Sequence, residues 1–281
     1  MINMNNRNQS TMNKDFNIAE KILQLKDYQG EDKVIDSYEM TSALKDKMQL
    51  SVFYSKMPLV DKYLQGFAQG ELNTVSGLPK SGKTLFCMSL TKNFQNQDVR
   101  SLWFQYENLP EVFLNGFGEQ PPLFLLPQKL KAYSLEWIRE RIVEAIAKYG
   151  IKVVFIDHLH FLFELVTRGN TSLEVGNIIR FLKHDIAKEL NITVILLCHL
   201  TKVPHDQEPG YMHLRDSGLI ASESDCVMIL WRLKKEADET CTKSILKIEF
   251  ARRSGCWYEK IRMIKQGNYL HEFTEKDRWS V

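Results

Sequence analysis

The sequence is poor in several features, and each absence narrows what it can be. It has no C-x-x-C pair. The five cysteines, Cys87, Cys198, Cys226, Cys241 and Cys256, are odd in number and scattered. Three lie inside apolar runs, where cysteine behaves as a small hydrophobe. The set reads as that of a reduced cytosolic chain without a structural zinc. No apolar run approaches the roughly 20 residues that a membrane helix needs, so no membrane partner is expected. Charge imbalance is also almost missing. There are 37 Lys+Arg against 35 Asp+Glu, a formal net charge of +2 over 281 residues. That excludes a protein coating nucleic acid with a broadly basic surface. Any nucleic-acid contact has to come from a few local cations. With 44% hydrophobic and 26% charged residues, a disordered chain and a disulfide mini-protein are excluded as well.

The N-terminus, Met1 to Lys14, is rich in Asn and has no apolar h-region. It is not a secretory signal, and a single arginine, Arg7, gives little support to an organellar presequence. The spacing of Phe16, Ile18, Ile22 and Leu25 predicts an amphipathic helix over Phe16–Tyr28. Gln29 to Asp32 breaks it, and a more polar stretch follows to about Gln49. Residues 1–50 are therefore read as a disordered tail and a linker-helix arm, and residues 51–281 as one large domain.

In that domain short apolar runs alternate with longer helical patterns, which predicts an α/β fold with a mainly parallel sheet. The candidate strands are Leu72–Ser76, Ser101–Gln105, Val153–Asp157, Thr193–Cys198 and Cys226–Trp231. Each is largely apolar, as a strand covered on both faces should be. Ser244–Phe250 and Tyr258–Ile264 alternate instead, which predicts a closing antiparallel hairpin. A helix is predicted from about Leu173 to Leu190, with Val175, Ile178, Ile179, Leu182, Ile186 and Leu190 at the helical period.

The sharpest motif is Gly77-Leu78-Pro79-Lys80-Ser81-Gly82-Lys83-Thr84, which fits G-x-x-x-x-G-K-[ST] at every fixed position. Glycines allow the backbone to curl so that successive N–H groups face one anion. Lys83 is expected to reach the β- and γ-phosphates of ATP, and the Thr84 hydroxyl to serve Mg²⁺. A strand signal precedes the loop and a helix beginning near Thr84 and Leu85 follows, which is the setting the motif requires. Two further strand ends carry acids. Asp157 closes Val153–Asp157 and is the expected second holder of Mg²⁺. Glu107, just past Ser101–Gln105, is the candidate to polarise water. His199, after Leu196-Leu197-Cys198, is a candidate sensor of the γ-phosphate.

Together these segments resemble the RecA-type motor domain of DnaB-like replicative helicases, relatives of the phage and mitochondrial ring helicases. The likeness runs from about Leu59 to Ile264. Leu59–Phe67 with Gly70-Glu71-Leu72 is similar to the family's lead-in to the phosphate loop, and Asp157-His158-Leu159-His160-Phe161-Leu162 to its D-x-L-Q-x-[LM] segment, with His160 in place of Gln. Leu214-Arg215-Asp216-Ser217-Gly218-Leu219-Ile220, continuing through Ser224 to Arg232, is similar to L-R-[ED]-S-G-x-I…A-D-x-V-x-x-L-x-R.

The resemblance implies a RecA-like phosphate-loop fold with helices on both faces of the sheet. It implies a homo-oligomeric ring, usually of six subunits, that hydrolyses ATP between neighbours and translocates on single-stranded DNA in replication. Primase and loader proteins become possible partners. The implied location is the cytoplasm, with the nucleoid, or less readily an organellar matrix. Arg253, in Ala251-Arg252-Arg253-Ser254-Gly255, matches K-x-R-x-G and would be the arginine finger, with Ala251 replacing the usual lysine. Arg232 would lie against the nucleotide base. His199 replaces the phosphate-sensing Gln, as in the phage and mitochondrial relatives. Arg168, Gly169 and Asn170 in one loop, Lys202 in a second, and Arg215 would face DNA. Two other functions fit the phosphate loop: a recombinase- or clock-type RecA relative, and a nucleotide-dependent interaction module without unwinding activity.

Overall fold

The computed structural model describes residues 18–45, 50–130, 134–163, 171–201, 203, 207–214, 217–233 and 243–274. Its contacts divide into two units, Met1–Gln49 and Leu50–Val281. In the first, residues 18–25 form helix α1 and Ser37–Lys45 form α2. Ile18, Ile22 and Leu25 of α1 are exposed. Helix α2 falls in the stretch expected only to be polar. Asp36 starts it, its carboxylate accepting the N–H groups of Tyr38 and Glu39, which is how an N-cap satisfies the first free donors.

The second unit is built on an eight-stranded sheet. Its strands are β3 (Leu72–Gly77), β4 (Ser101–Gln105), β5 (Val153–Asp157), β6 (Thr193–His199), β7 (Cys226–Arg232), β8 (Lys243–Ala251), β9 (Cys256–Gln266) and β10 (Tyr269–Glu272), in the spatial order β10-β9-β8-β7-β3-β6-β5-β4. The five strands from β4 to β7 in that order are parallel; β8, β9 and β10 add on antiparallel. The parallel strands are the five that the apolar runs predict, three of them longer by one residue at the C-terminal end. The expected closing hairpin is a three-stranded meander, because Tyr269–Glu272 adds a short edge strand. A separate pair, β1 (Val52–Phe53) with β2 (Phe67–Ala68), is too short to leave a periodic signal.

Helices cover both faces. One core holds Phe86, Leu90 and Phe94 of α4 (Lys83–Gln95), with Trp103 stacked on Phe155 at 4.4 Å between ring centroids. The Trp103 indole N–H donates to Thr91 Oγ1 at 3.0 Å, so burying the ring strands no polar atom. The other core holds Ile138 and Ile142 of α6 (Leu135–Tyr149) and Val175, Ile178, Ile179, Leu182 and Ile186. These last five lie on α8 (Thr171–Arg180) and on Phe181–Lys188, where the helix continues with wider, π-type bonding. A 3.6-residue apolar period cannot distinguish that widening, so the sequence pattern predicts one uniform helix. Three short helices, α3 (Pro58–Leu64), α5 (Pro110–Asn115) and α7 (Leu159–Phe163), precede α8, and α9 (Ser217–Glu223) follows β6.

Candidate functional site

Parallel pairing sets the site. Gly77 of β3 is level with His199 of β6, and Asp157 of β5 is level with Gln105 of β4. Four strands thus deliver their last residues to one edge of the sheet. That edge is the usual ligand crevice of an open α/β sheet, beyond the carboxyl ends of its strands.

The loop of residues 77–82 turns there from β3 into α4. Lys80 and Gly82 have positive φ, 61° and 102°, the backbone pattern from which an anion nest is made. Gly77 is required sterically, since a Cβ on it would stand 2.2 Å from the Leu230 carbonyl oxygen. The loop's Lys83 is buried, and its Nζ donates to the Gly77 and Leu78 carbonyls at 3.1 and 3.2 Å. It also lies 3.1 Å from His199 Nδ1. Burial pushes the Lys83 ammonium below its usual range, and burial followed by the Lys83 charge pushes the His199 imidazole down too. Leu85 packs its side chain against the aromatic core; what it can offer a phosphate is its N–H in the first turn of α4.

Asp157 is the hub. Its Oδ2 accepts from the Thr84 hydroxyl at 2.7 Å and from Gln105 Nε2 at 3.0 Å. Its Oδ1 is buried with no hydrogen-bond partner among the described residues. Burial raises its pKa to about 6, against the opposing hydrogen bonds from Thr84 and Gln105. An orphaned carboxylate oxygen beside a threonine hydroxyl is a set of hard oxygen donors, and it fits Mg²⁺. Gln105 also accepts the Glu107 N–H at 2.8 Å, which ties the exposed Glu107 to the hub. Sequence reasoning passed over Gln105; its signal was a polar residue closing an otherwise apolar strand. It also gave no role to His158, whose ring stands 4.4 Å from that of His199.

Arg232, exposed at the end of β7, lines a cleft of about 610 Å³ with Leu78, Lys80, Ser81 and Trp231. The Ser81 hydroxyl, buried beside it, has no partner among the described residues. The cleft and its orphaned hydroxyl suit a polar ligand held against the loop.

Arg253 lies elsewhere. Its Nε pairs with Glu71 at 2.7 Å, and its other nitrogens donate to the carbonyls of Leu64, Gln65 and Gly66 at 3.1, 3.1 and 2.6 Å. It caps the C-terminal end of α3, where cations are favoured. Glu71 precedes β3 and the phosphate loop follows it, so about 20 Å of strand separates Arg253 from its own chain's site at 3.3 Å per residue. Arg168, Gly169, Asn170, Lys202 and Arg215 lie outside the described residues.

Fold and site define a phosphate-loop nucleotide-binding domain. The family model for the DnaB-like helicase C-terminal domain matches residues 119–272, and the chain belongs to that family. The match begins beyond the phosphate loop and Glu107, whose assignment rests on the geometry above. The replicative DNA helicase DnaB of Rickettsia prowazekii is 28% identical, over 62% of this chain and 44% of the relative. That of Pasteurella multocida is 22% identical, over 85% and 58%. The chain thus spans about half the length of these curated relatives. Among solved structures, a DnaB-like replicative helicase studied with primase superposes with a TM-score of 0.69 at 18% identity, over 90% of this chain and 70% of that one. A solved ATPase domain gives 0.71 at 18%, over 87% of this chain and 100% of that one. Both likenesses are of fold. Among the described residues, no helix is long and apolar enough to cross a membrane.

Proposed function

We propose that this chain is the motor of a ring-forming, ATP-dependent DNA helicase that moves on single-stranded DNA. The observation that carries the proposal is the convergence of Lys83, Thr84, Asp157, Glu107 and His199 at one sheet edge. Family membership supports replication as the setting, with a cytoplasmic location and with primase or loader proteins as partners.

In this reading the loop N–H groups and the start of α4 hold the phosphates of ATP. Lys83 exchanges its carbonyl partners for phosphate oxygens. Thr84 and Asp157 hold Mg²⁺, which neutralises phosphate charge. Glu107 orients a water for attack, and His199, bound to Lys83 on one side, reports whether a γ-phosphate is present. Arg232 lies along the nucleotide. Arg253 is too far from its own site to act there, so as a finger it serves a neighbour, for which a hexameric ring is the natural geometry. Reaching that neighbour means leaving Glu71 and three carbonyls, bonds to a charged group worth about 1.5–3 kcal/mol each when unopposed. The DNA contacts are assigned to Arg168, Gly169, Asn170, Lys202 and Arg215.

Turnover with and without single-stranded DNA, together with sizing in a non-hydrolysable ATP analogue, tests this. DNA-stimulated turnover and a hexamer-sized species are expected. A monomer with DNA-indifferent turnover would sink the proposal and favour an interaction module. Mixing Arg253→Ala with Glu107→Ala protein is expected to restore part of the activity each lacks. No restoration would leave Arg253 as the cap of α3 alone.

A further inference from the structure

The same sheet edge holds a second set of metal-ligand atoms, two of which, on Glu107 and His199, also carry proposed roles in hydrolysis. Glu107, His158 and His199 each place one ligand atom so that all three lie within 4.8 Å of one another. They come from three adjacent strand ends, just past β4, just past β5 and the last residue of β6. His158 is nine-tenths buried and sits edge-on to the half-buried His199, with Phe161 5.0 Å away. Both rings are thus confined, while the Glu107 carboxylate is exposed on a backbone that Gln105 holds.

We propose that Glu107, His158 and His199 bind a zinc-like divalent ion in the nucleotide-free chain. Two imidazoles and one carboxylate are a donor set for Zn²⁺ or Co²⁺, with a fourth position open. They are a poor set for Mg²⁺, which prefers oxygen and keeps its waters. The site is therefore distinct in chemistry from the oxygen donors of Thr84 and Asp157, although it shares their edge of the sheet. Metal–ligand bonds of roughly 2.0–2.2 Å put tetrahedral ligands about 3.4 Å apart. Closing the set to that spacing takes rotation of the exposed Glu107 side chain and a small movement of the two imidazoles toward each other. The Lys83 ammonium, 3.1 Å from His199 Nδ1, opposes a second cation, which weakens binding relative to the same three ligands without a neighbouring charge.

The consequence rests on the hydrolytic role proposed for Glu107. A carboxylate held on a metal cannot orient water, so the ion would inhibit turnover. Binding itself does not depend on that role, which separates the two ideas.

Full-length, nucleotide-free protein titrated calorimetrically with ZnCl₂ is expected to take up one ion at this site. Co²⁺ is expected to give the visible bands of a four-coordinate nitrogen–oxygen site, without a thiolate band. Glu107→Gln, on the surface, should weaken binding at least about tenfold with an unchanged circular dichroism spectrum, and His158→Phe should do the same. Cys256→Ser should bind as the parent does, since the partly exposed Cys256 is no ligand. Parent-like binding by Glu107→Gln, or loss of binding in Cys256→Ser, would overturn the site. Zinc uptake by a chain that never hydrolyses ATP would overturn the helicase reading and leave the site standing.

Discussion

The two ends of the central sheet are built from similar residues and treat them oppositely. At the carboxyl end, charged and polar groups are buried and left incomplete. Asp157 Oδ1 and Ser81 Oγ lack partners among the described residues, and the Asp157 pKa is raised to about 6. At the amino end the charges are matched, although the buried Asn73 amide of β3 is also without a partner among the described residues. Lys183 pairs with Asp225 and donates to the Gly70 carbonyl; Asp225 also accepts the Leu72 N–H at 2.8 Å; Arg253 pairs with Glu71. A satisfied network holds a fold, whereas an unsatisfied one is a reservoir that a ligand can discharge. On the proposed function, Asp157 and Ser81 are groups a ligand would complete, whereas Lys183 and Asp225 lock β3 in place and Arg253 does so until it reaches a neighbour.

The sharpest way to break this contrast is to remove a ligand-awaiting charge. Lys83→Ala is expected to lower ATP turnover on the order of 10³-fold or more, with a much smaller change in the unfolding midpoint, because relief from burying the ammonium offsets the bonds lost to the Gly77 and Leu78 carbonyls. A thermal melt run beside a phosphate-release assay checks both halves. At the other end the balance should invert. Lys183→Ala strands Asp225 in a nearly buried site, and breaking such a pair costs about 3–5 kcal/mol. Urea denaturation of the nucleotide-free protein should show that loss, and turnover per folded molecule should stay near the parent value.

The smallest effect is the most discriminating. The Asp157 carboxyl, raised from 3.8 to about 6 in the fold, binds its proton more tightly folded than unfolded. Stability is therefore lost as pH rises from about 4 through 6, by up to roughly 3 kcal/mol at about 1.36 kcal/mol per pH unit. Asp157→Asn should remove this slope and make the nucleotide-free protein more stable at about pH 7.5, while Mg²⁺-dependent turnover falls. A variant less stable than its parent at that pH would show that the hydrogen bonds from Thr84 and Gln105 outweigh the cost of burial.

Much of this was legible beforehand because it depends on local chemistry. A buried parallel strand has to be apolar along most of its length, so the five central strands announced themselves. The phosphate loop has to carry Gly77, Gly82, Lys83 and Thr84 at fixed spacing, because backbone shape and reach fix them. What did not show was whatever depends on partners distant in the chain. Helix α2 is a separate case: it lies in a polar stretch that reads as loop, and only its local Asp36 cap marks it. The edge strand β10 is four residues long and is secured by contacts such as that of the Leu270 N–H with Ser89 Oγ, 181 residues away in sequence. Gln105 looks like an ordinary strand-end residue until parallel pairing sets it beside Asp157.

The sequence by itself determined the α/β sheet and the place of the phosphate loop on it, since glycine, lysine and threonine at that spacing after an apolar strand are what a phosphate-binding turn requires. Its near-neutral charge also spoke against a broadly basic surface. Tertiary structure alone decided which groups meet. Parallel register brought His199 and Lys83 together and put Asp157 between Thr84 and Gln105. The antiparallel return of β8 carried Arg253 to the opposite end, against Glu71. Contact between residues 182 positions apart is a property of strand order, and no local pattern encodes it.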